Sequence, residues 1–277
     1  MTPIPISAPG SPRFSIVTVT YNNRVGLEET RRSVLEQSFA GYEWIVIDGA
    51  SKDGTPDLLA RESDERLSYV SEPDGGIYDA MNKGLDRACG DYVVFLNAGD
   101  RFADRDVLAE LDAHIGAKKP VVVYGDSIEF DETKSFYKAA RQPSENRLVM
   151  FTHHQAILYR TDVAQAHRYD LSYKISCDWV MTTRILRSGG ERLRFTKPIC
   201  LFERGGVSQR QDYRRAINQE LFRIYRTEQG FGLATAALLW LRKVAINKAR
   251  QLLPGLYDRL RYPRGRGESL HQGGAGA

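Results

Sequence analysis

An α/β fold, with a mainly parallel central sheet and helices on both faces, is what this chain of 277 residues predicts. Three observations carry that expectation. Short β-branched runs alternate with helical patterns between Phe14 and Tyr124. The first runs are mostly apolar, as strands covered on both faces must be. Polar turns follow those strands, where open α/β sheets hold charged ligands. Strands separated by single helices form right-handed crossovers, so neighbours run parallel.

Each element has its own signal. Phe14–Thr20 reads as the first strand, and a helix follows from about Leu27 to Ser38. Trp44–Asp48 is the second strand. Thr55 as N-cap and Pro56 at the first helical position open the next helix. Leu67–Val70 is the third strand. Ile77, Ala80, Met81, Gly84, Leu85 and Ala88 recur at three- and four-residue steps, an amphipathic helix after the Asp74-Gly75-Gly76 turn. Tyr92–Leu96 is the fourth strand, Val107 to Ile115 a helix, and Val121–Tyr124 the fifth strand. Beyond residue 125 the pattern turns mixed. It predicts a hairpin through Ile128 and Phe136, a strand near Ala156–Tyr159, helices at about Asp178–Arg187 and Asp212–Tyr225, and strands at Leu193–Phe195 and Ile199–Phe202.

Composition fits a globular chain: 42% hydrophobic, 10% aromatic and 27% charged, enough apolar content for a sizeable core. The net charge of +4 is modest but unevenly spread. Arg242, Lys243, Lys248, Arg250, Arg259, Arg261, Arg264 and Arg266 fall near the C-terminus with only Asp258 and Glu268 against them. That patch suits an acidic surface, anionic lipid or nucleic acid. Cys89, Cys177 and Cys200 show no C-x-x-C spacing, which disfavours a disulfide framework and a zinc site and points to a reducing, cytoplasmic setting. The expected organisation is a flexible leader (1–12), one domain (13–228, with halves 13–125 and 126–228), a basic amphipathic helical extension (229–262) and a disordered tail (263–277).

Candidate site residues cluster after strands. Thr18-Val-Thr-Tyr-Asn22 ends strand one, with a Tyr21 ring face for stacking and Asn22 able to hydrogen-bond in both directions. Ile47-Asp-Gly-Ala-Ser-Lys-Asp-Gly-Thr55 brings Asp48 and Asp53, although an Asp-Gly pair before a helix is also ordinary turn chemistry. Asp74 and its glycines can bring backbone amides to a phosphate, and Asn82 follows on the helix, either as a ligand contact or as a buried clip for loop backbone. Asn97-Ala98-Gly99-Asp100 closes the fourth strand.

Together these segments resemble the family-2 inverting glycosyltransferases of GT-A fold, strongly over 14–104 and more weakly over 150–208. The Asn-small-Gly-Asp form, where most relatives carry Asp-x-Asp, is similar to the colanic-acid-type exopolysaccharide and glycolipid transferases. The resemblance implies a nucleotide-sugar donor, UDP-linked by expectation, bound by Thr20, Tyr21, Asn22, Asp48, Asp53, Asp74, Asn82, Asn97 and Ala98. It implies Mg²⁺ or Mn²⁺ held weakly through Asp100, with the donor phosphates supplying further oxygens. Ser176-Cys-Asp-Trp-Val-Met-Thr-Thr-Arg184 resembles the segment whose Asp is the general base, which places that role on Asp178; an N-capping Asp is the alternative. His154, Gln155 and Trp179 fall on the acceptor side, for a saccharide or lipid-linked acceptor. Arg204, in the Gly-hinged Phe202–Ser208 loop, reaches a donor phosphate or stays solvated.

In the C-terminal region, leucines interleaved with the basic residues read as a helix lying on an anionic membrane or packing on the domain. The protein is accordingly placed in the cytoplasm or peripherally on the inner face of the cell membrane. An oxidoreductase is disfavoured because no G-x-G-x-x-G follows strand one. A nucleic-acid module is disfavoured because the basic region is mostly aliphatic. The alternative that remains is a non-catalytic nucleotide-sugar binder.

Overall fold

Strand β1 (Phe14–Thr20) is buried along its whole length, and it organises the sheet. In the computed structural model, which describes residues 11–131, 134–203 and 214–252, β1 pairs in parallel with β2 (Tyr42–Asp48) and β4 (Tyr92–Phe95), and β2 pairs in parallel with β3 (Leu67–Ser71). Helices α1 (Arg24–Leu35), α2 (Thr55–Ala60) and α3 (Ile77–Leu85) make the crossovers. Alternate residues of each strand enter opposite faces, as the two-residue strand period requires. Phe14, Ile16, Trp44 and Val46 meet Leu27 and Val34 of α1 and Leu108 and Leu111 of α4 (Val107–Ile115) on one face. Val17, Val19, Ile45 and Ile47 meet Met81 and Leu85 of α3 on the other. Each such side chain taken out of water contributes about 1.5–3 kcal/mol, so both layers have a strong drive to close.

The parallel character holds across β3-β2-β1-β4 and gives way to mixed pairing beyond. β8 (Ile157–Arg160) runs antiparallel to β4 and to β6 (Val122–Phe130), while β9 (Arg192–Glu203) runs parallel to β6. β7 (Ser135–Lys138) forms the expected hairpin with β6, pairing Ile128 with Tyr137 and Glu129 with Phe136. The two strands expected near Leu193 and Ile199 are one bulged strand, because the register with β6 shifts around Asp126 instead of breaking at Pro198. β5 (Arg101–Phe102), pairing with β9, is too short for a pattern to announce.

Helix α5 (Thr161–His167) precedes α6 (Cys177–Arg187), and α7 (Arg214–Arg223) ends in a π-helical turn at Ile224–Glu228 before α8 (Leu233–Leu252). One capping expectation shifts by a residue. Thr55 is already helical and Gly54, with φ of 85°, occupies the cap, because the Asp53 side chain takes over the capping bonds. Phe202 and Glu203 of the expected hinged loop end β9, while Arg204 to Ser208, residues 1–10 of the leader, and everything past Leu252 lie outside the described residues. Among the described residues, no helix is long and apolar enough to cross a membrane.

Register places the candidate site. Thr20 aligns with Asp48, and Asp48 with Ser71, so the parallel strands end along one edge. Leu96 N–H donates to the Val17 carbonyl at 2.9 Å and Ala98 N–H to the Val19 carbonyl at 3.1 Å, which brings the Asn97–Asp100 turn to that same edge.

Candidate active site

The first strand delivers Tyr21 and Asn22 to the edge in a tight corner. Asn22 has a φ of 48°, its N–H donates to Ser51 Oγ at 2.7 Å, and its Oδ1 accepts from Lys52 N–H at 2.9 Å. Asp48 is wholly buried and accepts from Ser71 Oγ at 2.6 Å, from Ser51 N–H at 3.1 Å and from Ser51 Oγ. Three donors leave a carboxylate, with about four acceptor positions, room for one more. Beside it, Gly49 forms the floor of a cradle between the exposed Tyr21 ring and Asp74: a Cβ here would lie 2.7 Å from Asp74 Oδ2 and 3.2 Å from Tyr21 Cδ2. Asp74 is held by the Gly76 N–H at 2.8 Å. If UDP occupies this cradle, Gly49→Ala should push both walls apart and weaken its binding by about 1 kcal/mol, roughly five-fold, at unchanged Tm; titration calorimetry checks it, and an unaltered Kd would remove Gly49 from the cradle.

Two residues expected on the nucleotide serve the scaffold instead. Asp53 accepts from Arg24 N–H at 2.8 Å, Thr55 N–H at 3.1 Å and Thr55 Oγ1 at 2.6 Å, stapling the starts of α1 and α2. The Thr55 hydroxyl, with the N–H donors, holds its carboxyl below the ordinary range. Asn82 spends both ends of its amide on Tyr169, donating to the carbonyl and accepting from the N–H, each at 3.0 Å. It clips α3 to the Tyr169 loop.

The acidic turn is built on Thr30 of α1, whose Oγ1 donates to the Asp100 carbonyl at 2.7 Å and accepts from the Gly99 N–H at 3.0 Å. Gly99 has a φ of 106°, a backbone conformation that strains any residue carrying a Cβ, so the turn favours glycine there. Asp100 is buried, accepts from Gln155 Nε2 at 2.7 Å and from the Glu203 N–H at 3.3 Å. Burial, reinforced by the Glu203 carboxylate, raises it to about 7 against the pull of Gln155. Gln155, expected on the acceptor side, spends its amide on the Asp100 carboxylate instead. Glu203 lies in the segment read as a hinged loop but is not itself singled out; the end of β9, paired through Glu203 with Phe130 of β6, brings it here.

Two buried side-chain oxygens at this edge, Thr20 Oγ1 and Asn97 Oδ1, have no hydrogen-bond partner among the described residues. A buried oxygen left alone is costly unless a ligand meets it. Among the described residues, no three His, Cys, Asp or Glu side chains are grouped to hold a metal. The donor set of Asp100 and Asn97 Oδ1, all oxygen with one carboxylate, fits a hard divalent cation that takes its other ligands from phosphate and water.

Asp178 begins α6 with its Oδ1 accepting from the Trp179 N–H at 2.8 Å and lying 3.5 Å from the Tyr78 hydroxyl of α3. Desolvation raises it to about 6, with Glu220 adding to the rise and the N–H and hydroxyl opposing it. A carboxylate there is ionised near neutrality yet basic enough to take a proton.

His154 and Trp179 change roles. The His154 ring is buried, stacked on Phe95 at 5.1 Å with Nε2 at 2.6 Å from the Tyr169 hydroxyl, and burial lowers it to about 3. It is a neutral core histidine. Trp179 is buried edge-on to Tyr225, and its indole N–H donates to the Asn146 carbonyl at 2.6 Å, so it walls the α6 start from behind. The two carboxylates are nonetheless joined through packed groups: Asp100 to Gln155, its neighbour His154 to Tyr169, Tyr169 stacked at 5.4 Å on Tyr78, and Tyr78 to Asp178.

A parallel strand edge bearing a glycine-floored cradle, an acidic turn and a buried carboxylate on a following helix is the layout of a GT-A-type glycosyltransferase. The glycosyl transferase family 2 model matches residues 15–190, and the chain belongs to that family. It is 34% identical over 179 residues to a PGL/p-HBAD biosynthesis glycosyltransferase of Mycobacterium tuberculosis, covering 63% of this chain and 70% of that protein. TuaG of Bacillus subtilis, which carries a teichuronic acid biosynthesis glycosyltransferase name, is 43% identical over 94 residues, 33% of this chain and 37% of its own length. Among solved structures, S. aureus TarS 1-349 in complex with UDP superposes with a TM-score of 0.62 at 17% identity, over 90% of this chain and 75% of that one. The mannosyltransferase PcManGT from Pyrobaculum calidifontis, in complex with GDP-Man and Mn²⁺, gives 0.61 at 20% identity, over 91% and 82%. These two likenesses establish the fold.

Proposed function

We propose that this glycosyltransferase moves a sugar, with inversion, from a UDP-linked donor to a saccharide or lipid-linked acceptor of a cell-surface polysaccharide or glycolipid. The carrying observation is that the ends of β1, β2 and β4 bring Tyr21, Asp48 and the Asn97–Asp100 turn to one edge, while Tyr78 ties that edge to Asp178. The uracil stacks on Tyr21 above Gly49, and the remaining acceptor position of Asp48 takes its N3–H. Asp100 and Asn97 would hold Mg²⁺ or Mn²⁺, which supplies charge neutralisation for the departing diphosphate. Asp178 takes the proton of the acceptor hydroxyl as that oxygen attacks the anomeric carbon from the face opposite the leaving group. One base suffices for a single displacement, and the product is inverted. Relatives named for PGL/p-HBAD and teichuronic acid biosynthesis support the acceptor class, and a UDP complex of a fold neighbour supports the donor. Incubation with UDP-sugars and Mg²⁺ or Mn²⁺, followed by assay of UDP release and of the anomeric configuration of the product, tests the reading. Retained configuration would overturn it; binding of UDP without turnover on any acceptor would favour the non-catalytic binder.

The same reading places the protein against the inner face of the membrane through α8. That helix packs by Ala236, Leu239 and Trp240, the last donating its indole N–H to the Asn218 carbonyl at 2.8 Å. Leu238 and Leu241 face outward, flanked by Arg242 and Lys248, and α8 contains no Asp or Glu. An apolar stripe edged with cations suits an anionic lipid surface. Wild type is expected to float with anionic vesicles, and Leu238→Glu/Leu241→Glu to stay behind with unchanged Tm. Equal flotation would sink the docking.

A further inference from the structure

The turn that enters α6 is gripped from another helix. Glu220 of α7, 9% exposed, accepts the backbone N–H groups of Ile175 at 3.1 Å and Ser176 at 3.0 Å, and also that of Lys174. Those three residues run directly into α6, whose cap residue Ser176 makes no side-chain capping bond. Orphan donors at a helix start ordinarily find a local side chain or water. Here one carboxylate, 44 to 46 positions away in sequence, collects three in a row. From the opposite side, the Tyr78 hydroxyl donates to the Ile175 carbonyl while facing Asp178. The peptide two residues ahead of Asp178 is therefore held at both its N–H and its C=O.

We infer that Glu220 is a positioning residue for the transfer reaction, fixing the Lys174–Ser176 turn and with it the direction of the Asp178 carboxylate. This inference rests on Asp178 being the base. A base must sit within hydrogen-bond reach of the acceptor hydroxyl, and a displacement of about 1 Å can cost two orders of magnitude in rate. Glu220 also acts on that base through charge. The groups that face Asp178 are Tyr78 from α3, Tyr159 from β8, Tyr169 from the loop after α5, Cys177 beside it and Glu220 from α7. Burial pushes the three phenols and the thiol upward, so they stay neutral at working pH and leave Glu220 as the anionic neighbour. Its charge disfavours the ionised form of Asp178, and its removal should ease deprotonation.

The test compares full-length wild type, Glu220→Gln and Glu220→Asp for kcat, donor KM, the pH profile and Tm. Glu220→Gln keeps the shape but loses the charge and one acceptor. It should lower kcat roughly ten-fold or more, leave donor KM unchanged and move the acidic limb to lower pH. Glu220→Asp keeps the charge on a shorter stem, so the limb should stay in place while kcat falls. A Glu220→Gln enzyme with a lower Tm but an unmoved limb and full kcat would reduce Glu220 to a structural cap and overturn the inference. Should Glu220→Gln fail to fold, wild-type kcat in Glu220→Asp overturns it equally. Asp178→Asn, measured alongside, separates the two readings: retained turnover in that variant removes the base assignment itself, whereas a dead Asp178→Asn beside a Glu220→Gln enzyme with an unmoved limb and full kcat removes only Glu220.

Discussion

Asp178→Asn is expected to lower kcat by on the order of 10³-fold while leaving donor KM and the fold unchanged. The side chain is isosteric and its Oδ1 can still accept the Trp179 N–H, so the α6 start keeps its geometry. On the proposed mechanism, what is lost is the site that receives the acceptor proton. The pH profile supplies an independent check. Because desolvation raises Asp178 to about 6, wild-type kcat/KM should climb through an acidic limb near that value as the carboxylate ionises. The linkage sign is fixed as well. A group whose folded value lies above its ordinary 3.8 is bound to its proton more tightly in the folded state, so its contribution to stability declines as pH rises through about 6. Asp178→Asn should therefore be at least as stable as wild type at pH 8 by thermal denaturation. An inactive variant that was also less stable at pH 8 would place the defect in folding and not in proton transfer; an active one would end the base assignment.

The first half of the fold was legible because its signals are local. β1, β2, β3 and β4 are short apolar runs separated by amphipathic helices, and the turns after them had to carry the ligand groups. The second half was less so. β9 crosses Pro198 by shifting its register with β6, and β5 is two residues fixed only by its partner, so neither writes a periodic pattern. The site divides along the same line. The position of Tyr21, Asp48, Asp74 and Asp100 at one edge followed from strand ends, whereas Asn82 satisfied its amide on Tyr169 and His154 stacked on Phe95, choices made by distant segments. Glu203 and Glu220 enter the site through contacts about a hundred and about 45 residues away in sequence. No spacing rule reaches that far.

Asp100→Ala should abolish transfer while preserving the fold. The truncation leaves the Gln155 amide and the Glu203 N–H without their acceptor, a cost of about 1–3 kcal/mol that a domain with two extensive apolar layers tolerates. Asp100→Asn keeps an acceptor for Gln155 and should recover most of that stability without recovering activity. On the proposed mechanism the chemical loss is larger, because a departing diphosphate would develop negative charge and Asp100 would be the carboxylate of the turn that holds the cation; such electrostatic contributions are worth about 10²–10³ in rate. Asn97 Oδ1, being neutral, cannot replace it. Nucleotide binding separates the roles: wild type should bind UDP more tightly with Mn²⁺ than without, and both variants should lose that difference while keeping the metal-free affinity set by Tyr21, Gly49 and Asp48. Cation-dependent UDP binding that survived Asp100→Ala would move the metal to Glu203 and detach the acidic turn from the leaving group.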